Sequence, residues 1–134
     1  MRAYFFTNFY LSPIQHGIQS AHVLHEMFRK YNNAPMLNHY DTLCDWADNH
    51  KTIIVKNGGE TNTMLRIKEL CGKMDLPSAY FNEPSLDGAL TCVGIIVPDR
   101  FYDRTVSNRF CESWKRTKIE NEFIDLLEST RLAQ

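Results

Sequence analysis

The stretch Arg2-Ala3-Tyr4-Phe5-Phe6-Thr7-Asn8-Phe9-Tyr10-Leu11-Ser12-Pro13-Ile14-Gln15-His16-Gly17-Ile18-Gln19-Ser20-Ala21-His22 changes its period partway through. Up to Tyr10 it is a run of aromatic and aliphatic residues of the kind a buried strand uses. At Leu11-Ser12-Pro13 the run breaks, and a helical repeat begins at Ile14. On a helical wheel Ile14, Ile18, Ala21, Leu24 or His25, and Phe28 form one apolar face. Gln15, Gln19, His22 and Glu26 share a second face with the same 4-3-4 spacing. A strand-to-helix junction leaves backbone N–H groups and the positive helix end open, which suits an anion. Two carboxamides, an imidazole and a carboxylate starting there can hold a carbonyl or phosphate oxygen, orient a water or relay a proton. The same face also fits ordinary contact with solvent.

Reading outward, strand one covers about Arg2 to Tyr10 and helix one about Ile14 to Tyr31, closed by Asn32-Asn33-Ala34-Pro35. A second helix is expected from Asp41 to Asn49, with Leu43, Trp46 and Ala47 inward. Thr52-Ile53-Ile54-Val55 is a β-branched strand, and Asn57-Gly58-Gly59 a turn. Thr61 or Asn62 would then cap a third helix that reaches Gly72 or Met74, with Met64, Leu65, Ile67, Leu70 and Cys71 on its apolar side. Ser78–Phe81 and Leu90–Val97 are strands joined by a short loop, so they should pair antiparallel. Strands joined through helices should lie parallel, with right-handed crossovers. The expected fold class is α/β, a four-stranded mixed sheet with helices on both faces. It forms one domain over 1–134: a core to residue 98, a basic-aromatic loop over 99–118, and a C-terminal helix over 119–134.

The bulk numbers narrow the functions. The chain has 134 residues, 43% hydrophobic and 23% charged, which suits one globular domain. A net charge of −1 excludes a general polycation, so nucleic acid would have to meet a local patch. Cys44, Cys71, Cys92 and Cys111 stand far apart with no CxxC pair, which indicates neither a zinc site nor a disulfide framework. No metal or other cofactor is expected. No apolar run approaches the ~20 residues that cross a bilayer, and no leader is evident, so a soluble, cytoplasmic protein is expected.

Two further segments carry candidate chemistry. Asn82-Glu83-Pro84-Ser85-Leu86-Asp87-Gly88-Ala89-Leu90-Thr91 sets two carboxylates and a hydroxyl at the ends of adjacent strands, where ligands of open α/β sheets gather. It also reads as a plain turn, with Pro84 fixing one angle and Asp87-Gly88 bending the chain. The stretch from Arg100 through Arg104 and Arg109 to Lys115 and Arg116 interleaves cations with aromatics, as phosphate and base binding would. An anchored loop with solvated cations fits equally. Asn57-Gly58-Gly59-Glu60-Thr61 lacks a phosphate-loop lysine and spacing.

These pieces together resemble the type-2 peptidyl-tRNA hydrolases, the archaeal and eukaryotic class. Gln15-His16-Gly17-Ile18-Gln19-Ser20-Ala21-His22 is similar to that family's Lys-x-x-x-Gln-Cys-x-His helix opening, and Leu90-Thr91-Cys92-Val93-Gly94-Ile95 to its final strand. The likeness spans roughly residues 3 to 98. It implies a peptidyl-tRNA hydrolase type-2-like fold, a homodimer, and hydrolysis of the ester between a peptide and tRNA by activated water. Catalysis would rest on His22, Glu83, Asp87, Thr91 and Gln19. Gln15, Ser20, Arg100, Arg104, Arg109, Lys115 and Arg116 would bind the ligand. Gln15 stands where the family has a lysine, Asn82 or Glu83 where it has an aspartate, and Glu83-Pro84-Ser85-Leu86-Asp87 where it has Ala-Gly-Arg-Thr. A neutral amide stabilises a developing oxyanion less than an ammonium does. The alternative reading is therefore a non-catalytic relative, of the kind a viral genome could carry, that sequesters a nucleotide-like ligand or a tRNA end.

Overall fold

Strand β1 (Arg2–Asn8) is buried along almost its whole length, as an apolar run covered on both faces must be. The computed structural model describes residues 1–32, 37–106 and 115–134. Its other strands are β2 (Ile53–Gly59), β3 (Ser78–Glu83) and β4 (Ala89–Val97), and the sheet order is β2-β1-β4-β3. β1 pairs parallel with β2 and antiparallel with β4, and β3 pairs antiparallel with β4. The sheet is thus mixed, as the order of strands and helices predicts.

Alternate residues of β1 divide between two cores. Ala3 and Phe5 pack with Val23 and Met27 of α1 (Pro13–Tyr31) and with Leu43 of α2 (Leu37–Asp45). Trp46 joins that cluster from a wider helical turn, Trp46–His50, that continues α2. Tyr4 and Phe6 point to the other face, with Met64 and Ile67 of α3 (Thr61–Lys73) and Phe123 and Leu127 of α4 (Lys118–Ser129). Helices therefore cover both faces.

Gly94 lets α1 approach the sheet. A Cβ there would lie 2.7 Å from Val23 Cγ1 and 2.8 Å from both Met27 Cε and Phe5 Cδ1. At the other helix, Thr117 and Glu120 form a reciprocal capping box that starts α4: Glu120 N–H donates to Thr117 Oγ1 and Thr117 N–H to Glu120 Oε1.

Several expectations need correction. The inward face of α1 is not the Ile14–Ile18–Ala21 stripe, for Ile14 is 73% exposed and Ile18 41%. His16, Gln19, Ser20, Val23, Met27 and Tyr31 face inward instead. β1 stops at Asn8, and Phe9 and Tyr10 are exposed. Asn57-Gly58-Gly59 ends β2 rather than forming a separate turn. α3 is preceded by Glu60, with Thr61 already helical and no side-chain cap. Leu65 of α3 is exposed. β3 runs on to Glu83, past Phe81. The last helix ends at Ser129, and the chain beyond it lies along β2, where Asn57 N–H donates to Arg131 O and Ala133 N–H to Val55 O.

Candidate functional site

Register sets the end of the sheet at which polar residues collect. The C-terminal ends of β1 and β3 and the start of β4 are adjacent, with Thr7 opposite Cys92, and Glu83 opposite Ala89. α1 begins at that same end. Ser12 accepts from Gln15 N–H as the N-cap, and Pro13 occupies the first turn. Pro13 has no N–H to offer, and the His16 N–H goes to the Ser12 carbonyl. The cap therefore takes the Gln15 N–H and leaves those of Ser12 and Ile14 outside it.

An open cleft of about 480 Å³ lies here, lined on its polar side by Ser12, Gln15, Gln19, His22, Glu83 and Ser85. Its apolar rim is Tyr10, Leu11, Ile18 and Leu86. At its base Gln19, only 2% exposed, is held at both ends of its carboxamide. Thr91 Oγ1 donates to Gln19 Oε1 at 2.5 Å. Gln19 Nε2 donates to Glu83 Oε2 at 3.0 Å and to Gln15 Oε1 at 3.3 Å. The Glu83 carboxylate fixes this amide orientation, since a carboxamide oxygen turned toward it would be repelled.

Glu83 also precedes the 3-10 turn Pro84–Leu86, and its Oε1 accepts from Ser85 N–H at 3.2 Å and Ser85 Oγ at 2.8 Å. The Gln19 hydrogen bond, followed by the two from Ser85, holds the Glu83 carboxyl below the usual carboxylate range. Burial opposes this, and the nearby His22 adds to it. Glu83 is thus a persistent anion and a weak base. The exposed His22 ring stacks on Phe81 with centroids 4.3 Å apart and planes 3° off parallel, so its orientation over the cleft is set by the sheet. His22 lines the open cleft beside that carboxylate.

Gln15, Gln19, His22 and Glu83 come together, with Thr91 behind them. Both Gln19 N–H hydrogens and the Thr91 hydroxyl are already committed, so these two residues hold the site rather than touch a ligand. Asp87 is not brought in: it takes the left-handed conformation after the 3-10 turn (φ 54°), is exposed, and does not line the cleft. Ser20 turns inward, where its Oγ donates to the His16 carbonyl at 2.7 Å beside Cys92. His16 in turn shares a 2.6 Å hydrogen bond with Thr7.

Arg100 lies with Met1 and Pro98 at the opposite end of the sheet. β4, at ~3.3 Å per residue, puts about 20 Å between Thr91 and Val97. Arg104 is exposed just beyond Arg100, and Lys115 and Arg116 are exposed just before Thr117, which shares a groove with Arg100 and Phe101. Arg109 is outside the described residues. Among the described residues lining the cleft there is no lysine or arginine. The loop is instead anchored by Phe101, packed edge-on to Phe123, and by Tyr102 under the Arg2 guanidinium.

Sequence reading missed Ser85, Phe81, Tyr10 and Leu86. The Glu83-Pro84-Ser85 order, an acceptor two residues before a donor across a proline, is a local turn signal that could have found Ser85. The His22–Phe81 stack depends on register and leaves no local trace. No protein-family model matches this chain, and no curated protein matches it.

Proposed function

We propose that the cleft is a hydrolase site that cleaves an aminoacyl or peptidyl ester of tRNA through activated water. The observation that carries this reading is the convergence of His22 and the clamped Gln19 of α1 with the ionised Glu83 at the end of β3 onto one open cleft. A water beside His22 gives a proton to the imidazole as its oxygen adds to the acyl carbon. The bond from that carbon to the alcohol oxygen then breaks, and the imidazolium returns the proton to the departing alcohol. Glu83 stabilises the imidazolium through space, while the Phe81 stack holds the ring. Gln19, fixed by Thr91, keeps Glu83 in place. Ser20 takes no part, since its hydroxyl is bonded to backbone within the core.

The test is incubation with a model peptidyl-tRNA at micromolar protein. His22→Ala should lower turnover by ~10²–10⁴-fold, the usual loss of a general acid–base group, while Ser20→Ala keeps most of it. Loss of activity on Ser20→Ala in a folded protein would point to an acyl-enzyme and overturn the water mechanism.

A second reading, binding without cleavage, is favoured by one specific observation. Among the described residues no lysine or arginine lines the cleft, Pro13 has no N–H and the cap takes that of Gln15, so less is left to stabilise an oxyanion than a helix-start lysine would give. Wild-type protein that leaves peptidyl-tRNA intact but retains it with salt-sensitive affinity would replace the hydrolase reading by this one. The resemblance also implies a homodimer, checked by sedimentation at micromolar concentration.

A further inference from the structure

The cleft combines one fixed negative charge with an apolar rim. Glu83 Oε1 takes two hydrogen bonds from Ser85, and Oε2 takes one from Gln19. A carboxylate has about four acceptor positions, so one position on Oε2 and the full charge remain for a ligand. Among the described residues no lysine or arginine lines the cleft to neutralise that charge or to attract a phosphate. Tyr10, Ile18 and Leu86, exposed by 48%, 41% and 43%, stand around it with Leu11 below. Exposed aliphatic and aromatic side chains grouped around a polar centre are the usual lining of a small-molecule site.

We infer that the cleft selects an acyl group that carries a free α-ammonium and an apolar side chain, the ammonium meeting Glu83 and the side chain meeting Tyr10, Leu11, Ile18 and Leu86. The inference rests on the hydrolase reading for turnover, though not for binding. An N-blocked acyl group offers only a neutral amide donor to Glu83. A charge-assisted hydrogen bond is roughly twice as strong as a neutral one.

The experiment compares phenylalanyl-tRNA with N-acetyl-phenylalanyl-tRNA at pH 6.5, below the ~7.7–8.0 at which an α-amino group titrates. Wild-type protein should favour the free amine by ~10-fold in kcat/KM, and Glu83→Gln should bring the ratio near one. The ratio is read within each protein, so a general loss of activity in the variant does not obscure it. Equal cleavage of both substrates, or preference for the acetylated one, overturns the selectivity and leaves the hydrolase reading standing. Cleavage of neither removes the hydrolase reading. The selectivity is then decided by calorimetric titration of phenylalaninamide, N-acetylphenylalaninamide and glycinamide. Tighter binding of the first than of the other two supports it. Equal binding of the acetylated compound overturns the role of the charge, and equal binding of glycinamide overturns that of the rim.

Discussion

Gln19 was readable in the sequence as a residue of the candidate cleft, but its hydrogen bonds were not, because they depend on partners far away in the chain. A buried carboxamide is costly unless its groups are bonded, and Thr91, Glu83 and Gln15 provide those bonds. Gln19→Leu should therefore destabilise the protein by about 1–3 kcal/mol in urea unfolding. The lower part of that range applies because Thr91 Oγ1 can turn to the Phe81 carbonyl, already 3.3 Å away. The same substitution should raise the Glu83 carboxyl toward an ordinary glutamate value, since Gln19 is the largest cause of its depression. A carboxyl whose folded value is depressed adds stability above the unfolded value, ~4.3 for glutamate, and loses it as pH falls through the folded value. The stabilising contribution of Glu83 is thus complete at neutral pH and fades below pH ~4.3. Carboxyl-carbon NMR titration checks both statements. A wild-type midpoint at or above the ordinary glutamate value, or one that Gln19→Leu leaves in place, would count against the clamp.

At the scale of elements, α1 shows where hydrophobic periodicity misleads. Ile14 and Ile18 have the spacing of a core stripe, yet both are exposed, and His16, Gln19 and Ser20 are buried in their stead. Each buried polar residue has a partner: Thr7 for His16, Thr91 and Glu83 for Gln19, and the helix backbone for Ser20. A wheel drawn from hydrophobicity alone cannot register such partners. Farther along α1 the conflict disappears, and Val23 and Met27 are as buried as their side chains suggest. They close directly over Gly94, so Gly94→Ala should cost about 1–3 kcal/mol by overpacking and loosen α1 against β4. Thermal unfolding and amide exchange in α1 measure both, and an unchanged midpoint would show that the helix has room to shift. The cap of α4 makes an independent case. Thr117→Ala should remove about 1 kcal/mol and leave the cleft residues unmoved, visible as a lower unfolding midpoint with unaltered His22 ring signals.

For the molecule as a whole, strand direction followed from connection lengths. A short loop between Glu83 and Ala89 enforces an antiparallel pair, and the helical connection from β1 to β2 leaves room for a parallel one. The mixed sheet was legible for that reason. What was not legible was which end of the sheet each charged segment reaches, since that depends on register across β1 and β4, and so Arg100 was grouped with a cleft at the opposite end of the sheet. The treatment of the sheet edges was hidden for the same reason. β2 is an outer strand, and residues 131–133 lie along it through two backbone hydrogen bonds of 2.8 and 2.9 Å. Lys56 fastens the same corner by donating to the Leu127 and Thr130 carbonyls, both at 3.0 Å, at the C-terminal end of α4, where the helix dipole favours a cation. Deleting residues 131–134 would bare the backbone of β2 beside the exposed Ile53, an arrangement that invites pairing with another chain. At about 0.5–1.5 kcal/mol per lost hydrogen bond, the shortened protein should be less stable by about 1–3 kcal/mol in urea. It should also sediment as larger species with rising concentration, while Lys56→Met alone lowers stability without that association. A truncated protein that keeps both its unfolding midpoint and its sedimentation coefficient would show that the tail does not guard the edge.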